Sequence, residues 1–546
     1  MHVVEPCSSR IDPPSMSSSS SNNAIAVSPE SPASTTGLGR QRSYGQILKS
    51  SALIGGSSVL SIGISVIRTK AMALLLGPAG FGLSGLYLSI LDLARTFSTM
   101  GINSSGVRQI AAAVGSGDQR RIARTVTVLR RTSVVLGLLG AVALALFSKP
   151  IARFTFQDEQ YTSAVALLSL AVLFCTVGGG LDALIQGMRR IGDLARLGVF
   201  GAALGVPIAI TIIYFLREKG IALAMVVGAA TSLFLSWSYS RRVGIASARM
   251  TASEIRLEAG ALMKLGFAFL VSSVMMMGSA YAIRTIILRQ IGFEAAGFYQ
   301  SAWALGGMYV GIVLQAMGAD FFPRLAAVAE DDAECNRLAN EQALVSLLLA
   351  GPGVLATLAF APLVITLFYT SKFTAAVEPL RWICLGMALR MVAWPIGIII
   401  VAKGRQVMFI ATDTLAAVVH VSLALVGVRQ FGLKGAGMAY LGLYIVHCCV
   451  VYVLVRRLSG FRWSGANRRT GLLFFSLIGA VFCGCQWLPA PYAIGAGVVA
   501  ILGSGVYSLR MLCRLVPLGR LPPPVRKFLT WLRLVMPEDA LGKPRE

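Results

Sequence analysis

The chain is 546 residues long, 55% hydrophobic and only 13% charged, with a mean hydropathy of +0.72. A soluble domain carries about 25% charged residues, so this composition excludes an ordinary soluble protein and indicates membrane-spanning segments. The formal charge of +25 does not indicate nucleic acid, because the basic residues cluster between apolar runs, the pattern of the positive-inside bias.

Residues 1–43, with "SMSSSSSNNAIAVSPESPASTTG", are Ser/Pro/Asn-rich and are expected to form a disordered cytoplasmic tail. They lack the apolar core of a signal peptide, so the first apolar run is expected to insert directly. Fourteen spans follow, at roughly 50–76, 81–102, 126–148, 161–181, 196–216, 220–240, 264–289, 296–319, 342–368, 376–401, 407–428, 435–455, 471–488 and 492–512. They are continuous Leu/Ile/Val/Ala/Gly runs, without the period-two alternation of a membrane β-barrel. The expected fold is therefore all-α and polytopic.

The connections alternate in character. One set is basic, for example Arg120/Arg121/Arg124, Arg189/Arg190/Arg196, Arg241/Arg242 and Lys403/Arg405. The other set is short and poor in net charge, including GPAG at 77–80, REKG at 217–220 and GFEA at 292–295. With an even span count, this places both termini in the cytoplasm. Nine cysteines lie mostly within apolar runs and form no CxxC motif, so neither a disulfide nor a zinc framework is expected.

An internal repeat organises the chain. "AGFGLS" at 79–84 aligns with "AGFYQS" at 296–301, and Met100-Gly101 aligns with Met317-Gly318 at the same offset of 217. "LIQGMRR" around Gly187 aligns with "IVAKGRQ" around Gly404. Each repeat holds six spans, so both enter from the same side, as parallel repeats with a substrate site between them. The expected domains are a tail (1–43), an N-terminal six-helix lobe (44–245), a linker (246–260), a C-terminal six-helix lobe (261–457), two extra helices (458–515) and a basic cytoplasmic tail (516–546). Two duplicated lobes suit alternating access.

Charges inside the spans are the candidate functional residues, because an isolated charge at the bilayer centre costs on the order of 2.5–3.5 kcal/mol. In the stretch 68–101, Arg68 lies about 13 Å and Lys70 about 10 Å inside the end of span 1. Asp92 is roughly 16 Å into span 2, near mid-depth, and Arg95 shares its face. Arg284 in span 7 is a near counterpart of Arg68, and Arg390 in span 10 is close to mid-depth. Arginine keeps its charge when buried and holds phosphate with a bidentate fork. Arg68, Lys70, Arg95, Arg284 and Arg390 are thus read as a cationic cavity for an anionic group such as phosphate or pyrophosphate. Asp92 either pairs with Arg68 or Arg95 to tie spans 1 and 2 together, or gates the cavity. Asp413 and His420 form a candidate ion-coupling pair; the alternative for His420, as for His447, is a hydrogen-bonded helix contact.

No catalytic signature (HExxH, GxSxG or GxxxxGK[ST]) occurs. Gly178-Gly179-Gly180 has neither the preceding strand nor the Lys-Ser/Thr of a phosphate loop and is assigned to packing or a hinge. An enzyme, a metal site and a cofactor are not expected.

Residues 43–111, "SYGQILKSSALIGGSSVLSIGISVIRTKAMALLLGPAGFGLSGLYLSILDLARTFSTMGINSSGVRQIA", resemble the N-terminal end of Wzx-type O-antigen and exopolysaccharide flippases. These belong to the multidrug/oligosaccharidyl-lipid/polysaccharide exporter superfamily, and with the duplicated positions the resemblance reaches residue 457. It implies movement of an undecaprenyl-pyrophosphate-linked oligosaccharide from the cytoplasmic to the periplasmic leaflet of the bacterial inner membrane. The implied partners are this lipid-linked oligosaccharide and the bilayer, with a polysaccharide polymerase and chain-length regulator as further candidates. The Ser-rich tail departs from the family pattern. Three other readings stand beside it: a lipid II-type peptidoglycan precursor flippase, a membrane polymerase or scaffold of a polysaccharide assembly complex, and a multidrug-type exporter of organic cations. The last would need buried carboxylates and would be repelled by the positive interior expected here.

Overall fold

The computed structural model describes residues 35–245 and 248–515; residues 1–34 of the expected tail and the basic stretch 516–546 lie outside the described residues. The chain divides into two units, Met1–Ala52 and Leu53–Glu546. The described part of the first is helical from Thr35, so residues 35–43 are helix rather than coil. Adding residues to a formed helix gains one hydrogen bond each, so a polar flank can continue it. The second unit holds the packed helices.

In chain order the helices are α1 (Thr35–Thr99), α2 (Ile102–Ser116), α3 (Gln119–Leu146), α4 (Ser148–Phe156), α5 (Thr162–Gly187), α6 (Ile191–Leu216), α7 (Gly220–Arg241) and α8 (Ala252–Gln290). They continue as α9 (Phe293–Ala327), α10 (Asp332–Ala359), α11 (Ala361–Phe368), α12 (Val377–Ala402), α13 (Gln406–Phe431), α14 (Leu433–Ser459), α15 (Gly465–Trp487) and α16 (Ala490–Leu515). Short 3-10 turns precede α5, α7 and α12, and the described residues contain no strand. Among the described residues, eleven stretches are long and apolar enough to cross a membrane. Two hold two segments each: Gly63–Thr99 is α1 on either side of a break at Gly77, and Gly192–Arg241 covers α6 and α7. These segments and the long α9 line up in chain order with the fourteen expected spans, and the fold is that of a polytopic all-α membrane protein.

Local chemistry explains the boundaries. Gly77 takes a left-handed φ of 66°, and Pro78, which lacks an N–H, opens the next helical segment. Asp118 caps α3 by accepting from the Arg120 and Arg121 amides at 2.9 and 3.1 Å. Asp331 caps α10 in the same way, from the Glu334 amide at 3.0 Å. The expected span 342–368 is split by the structure: α10 ends at Ala359, and α11 starts afresh with Pro362 in its first turn, where a missing donor is harmless.

The repeat is visible in the packing. α5 packs on α3 and α7, and α6 packs on α7; correspondingly α12 packs on α10 and α14, and α13 on α14. The short helices α4 and α11 occupy equivalent places. Arg190 and Arg405, 215 positions apart, cap α6 and α13 with nearly the same backbone angles (φ −80°, ψ 61° and 63°). The structural partner of Gly404 is consequently Arg189, not Gly187: both close a helix in the left-handed region (φ 68° and 56°). Turn geometry, not residue identity, sets this alignment. The additional helices α15 and α16 pack on α10.

The repeats meet at their own shared motif. A Cβ on Gly82 would collide with the Phe293 carbonyl, and one on Gly297 with the Pro78 carbonyl, so "AGFG" and "AGFY" cross backbone to backbone. Around this crossing lies an aromatic cluster: Phe81 stands edge-on to Tyr369 and Phe373 (centroids 5.3 and 5.8 Å apart), and Phe156 is 6.3 Å from Phe293.

Candidate functional site

A cavity of about 770 Å³ lies among α1, α8, α9, α12, α13 and α14. It runs from the middle of these helices toward the end that carries the Lys403/Arg405 loop, where Val401 and Phe409 line it. At the other end, the aromatic cluster and the Gly82–Gly297 crossing fill the space between the repeats. Its position follows from the long α8 and α9, which reach across from the second repeat to α1.

Four charged side chains line the cavity: Asp92, Arg284, Arg390 and Asp413. Arg284 is buried, its Nε donating to Gln300 Oε1 at 2.7 Å and its Nη1 to the Ala280 carbonyl at 3.0 Å. Gln300 in turn rests on Gly85 of α1, where an added Cβ would approach its Cγ to 3.0 Å. Arg284 therefore stands at the junction of α8, α9 and α1. Asp92 lies in the field of Arg95 on its own helix and of Arg284 across the cavity. Arg390 lies beside the Tyr440 hydroxyl and within the field of Tyr444. Asp413 accepts from Ser272 Oγ at 2.7 Å, which joins α13 to α8. His420 is buried beside Tyr440, ring centroids 5.6 Å apart, and its Nε2 has no hydrogen-bond partner. It shares the cavity-facing side of α13 with Asp413, and His447 lines the cavity from α14.

The structure thus brings together Asp92, Arg284, Arg390, Asp413 and His420, and leaves three predicted residues outside this lining. Lys70 donates to the Thr366 and Leu367 carbonyls at 2.7 and 3.0 Å, holding the last turn of α11, where a cation meets free carbonyl groups. Arg68 and Arg95 are exposed on α1. The cavity wall therefore carries two arginines against two aspartates, rather than the excess of positive charge expected from counting all spans together. Asp92 forms no ion pair with Arg68 or Arg95 among the described residues. Sequence reading passed over Ser272, Tyr299, Gln300, Trp303, Tyr440 and Tyr444, the neutral polar and aromatic part of the wall. Their signal was polar side chains within apolar runs, which charge counting does not register.

Comparison with known proteins gives a consistent frame. Residues 71–378, more than half of the chain, match the family described as "Polysaccharide biosynthesis protein". A protein of Escherichia coli (strain K12) named "Lipid III flippase" is 25% identical over 428 residues, 75% of this chain and 99% of that protein. Among solved structures, the "Lipid II flippase MurJ, inward closed conformation" aligns with a TM-score of 0.61 at 13% identity, covering 84% of this chain and 99% of MurJ. An inward-facing multidrug resistance MATE family transporter of the MOP superfamily aligns at 0.58 and 16% identity, covering 75% of this chain and 94% of that one. At these identities the structural likeness concerns the fold.

Proposed function

We propose, from the premise that this chain belongs to the polysaccharide biosynthesis protein family, that it flips a lipid-linked oligosaccharide precursor across the membrane. In the finer reading, the cargo is an undecaprenyl-pyrophosphate-linked repeat unit of an exopolysaccharide or O-antigen. It passes from the cytoplasmic to the periplasmic leaflet of a bacterial inner membrane, and both termini of the protein are cytoplasmic. The observation that carries this reading is the placement of Arg284 and Arg390 at depth in one cavity whose remaining wall is aromatic and neutral-polar. Guanidinium forks suit a pyrophosphate; Tyr, Trp, Ser and Gln side chains suit the faces and hydroxyls of sugars. Arg68 and Arg95, exposed on α1, make first contact with the head group, and Arg284 and Arg390 receive it. The lipid tail stays in the bilayer while the two six-helix lobes rock about the central site. Asp92, Asp413 and His420 gate this movement or couple it to an ion. A polysaccharide polymerase and a chain-length regulator are the proposed downstream partners.

The test is a deletion strain fed a radiolabelled precursor. Lipid-linked oligosaccharide is expected to accumulate in the cytoplasmic leaflet while surface polysaccharide disappears. The wild-type gene restores export; the double variant Arg284→Ala/Arg390→Ala, at normal protein level, does not. Arrival of unpolymerised units in the periplasmic leaflet of the deletion strain would instead place the protein after translocation.

One observation favours a second reading. Asp92 and Asp413 supply the carboxylates that an exporter of organic cations requires. Efflux of a fluorescent organic cation from vesicles that carry the purified protein separates the two. Efflux abolished by Asp413→Asn would favour cation export, and its absence the flippase.

A further inference from the structure

Away from the central cavity, a second recess of about 660 Å³ lies between α3, α5 and α7. Neither α1 nor α8 contributes to it. Its floor is apolar, with Val177 and Leu181 from α5 and Leu233 from α7. Val134, Phe234 and Trp237 on its rim remain 42%, 62% and 43% exposed, so the recess faces the surrounding hydrocarbon. Two arginines interrupt this surface. Arg130 lies eleven residues into α3, roughly 16 Å along the helix, and its Nε is buried without a hydrogen-bond partner. Arg241, the last residue of α7, lies over the Trp237 ring at 3.9 Å. Among the described residues, no acidic side chain lines the recess.

An arginine on a lipid-facing helix is costly unless it finds an anion or reaches the interface. Here two guanidinium groups, a tryptophan suited to the head-group level and an apolar trough occur together. We propose that this recess binds an anionic phospholipid of the surrounding bilayer, its phosphate held by Arg130 and Arg241 and one acyl chain lying along α3, α5 and α7. A zwitterionic lipid brings its own cation toward the two arginines and is disfavoured. Basic pockets between membrane helices bind anionic head groups by this combination of charge and shape.

The experiment is native mass spectrometry of the purified full-length protein with phosphatidylglycerol or phosphatidylcholine, read as the affinity of the first bound lipid. The wild type is expected to prefer phosphatidylglycerol. Arg130→Gln/Arg241→Gln is expected to weaken that binding at least about fivefold, from a contribution near one interfacial charge, and Arg130→Lys is expected to retain part of it. Leu233→Trp fills the trough without altering charge and is expected to weaken both lipids. It decides the matter should the double variant lose its fold, as judged by its thermal melt. Equal affinity of the wild type for the two lipids, or wild-type binding of phosphatidylglycerol by folded double and Leu233→Trp variants, would overturn the proposal.

Discussion

Arg284 touches α8 through its own turn, α9 through Gln300 and, through Gln300 resting on Gly85, α1. Replacing it removes the polar tie to Gln300 together with the proposed phosphate ligand. Arg284→Ala is expected to lower precursor flipping at least about tenfold, the range for a lost hydrogen bond to a charged group. Arg284→Lys, which keeps charge but not the planar fork, should fall between the two. Arg68→Ala and Arg95→Ala are expected to lose less, because neither lines the enclosed wall; flipping rates in proteoliposomes give the order. Asp413 meets Ser272 rather than a cation. If it couples transport to protons, Asp413→Asn should leave a residual rate that no longer responds to an imposed pH gradient. At this scale, charge and depth in the sequence named Arg284, Arg390, Asp92, Asp413 and His420, which line one cavity. They did not separate these from Arg68, Lys70 and Arg95, because hydropathy gives depth but not the azimuth of a side chain about its helix. The partner of Lys70, two carbonyls nearly 300 residues away in α11, has no local signature.

Helix ends carry the next set of consequences. Asp118 and Asp331 cap equivalent helices, and each substitution to Ala is expected to cost about 1 kcal/mol, seen as a lowered melting temperature. α8 begins with a capping box: Thr251 and Glu254 satisfy each other's backbone amides. Hydrogen bonds from the Thr251 amide and hydroxyl, with the nearby Arg124 adding its charge, hold the Glu254 carboxyl below its ordinary range. A depressed carboxyl stabilises the fold above its unfolded pKa and loses that effect as pH falls through the folded value. The stability gap between wild type and Glu254→Gln should therefore be present at neutral pH and close under acid, below about pH 4, in thermal melts across pH. Neither the caps nor the split between α10 and α11 was read from the sequence: each cap lies in a polar flank, and hydropathy continues smoothly across Phe360, where only Pro362 marks the new start.

Across the whole molecule, the space at one end of the interface between the repeats is filled where Gly82 and Gly297 cross, with the Phe81, Tyr369 and Phe373 rings packed around them. Alternating access requires this contact to part. Cysteines at Phe81 and Phe373, whose ring centroids are 5.8 Å apart, joined by a short bifunctional methanethiosulfonate should stop flipping, with reductant restoring it; unchanged flipping by the fully cross-linked protein would count against rocking at this end. Gly297→Val, which forces a side chain into the Pro78 carbonyl, is expected to weaken the crossing and lower the melting temperature. In a bilayer, lipid tails are as apolar as the side chains, so such contacts depend on close packing rather than on the hydrophobic effect.

Composition and periodicity by themselves determined a polytopic all-α membrane protein with an internal duplication, because apolar length and repeated turn residues are properties of the chain alone. The residues of the resemblance, "LGPAGFG" and "MGINSSGVR", likewise pointed to the family. Only the tertiary structure decided which charges share one cavity, that its acids and arginines balance, and that the two copies of the glycine motif touch each other. The physical reason is that these properties depend on how helices far apart in sequence are rotated and brought together, and a side chain's neighbours across a helix interface leave no trace in its own segment.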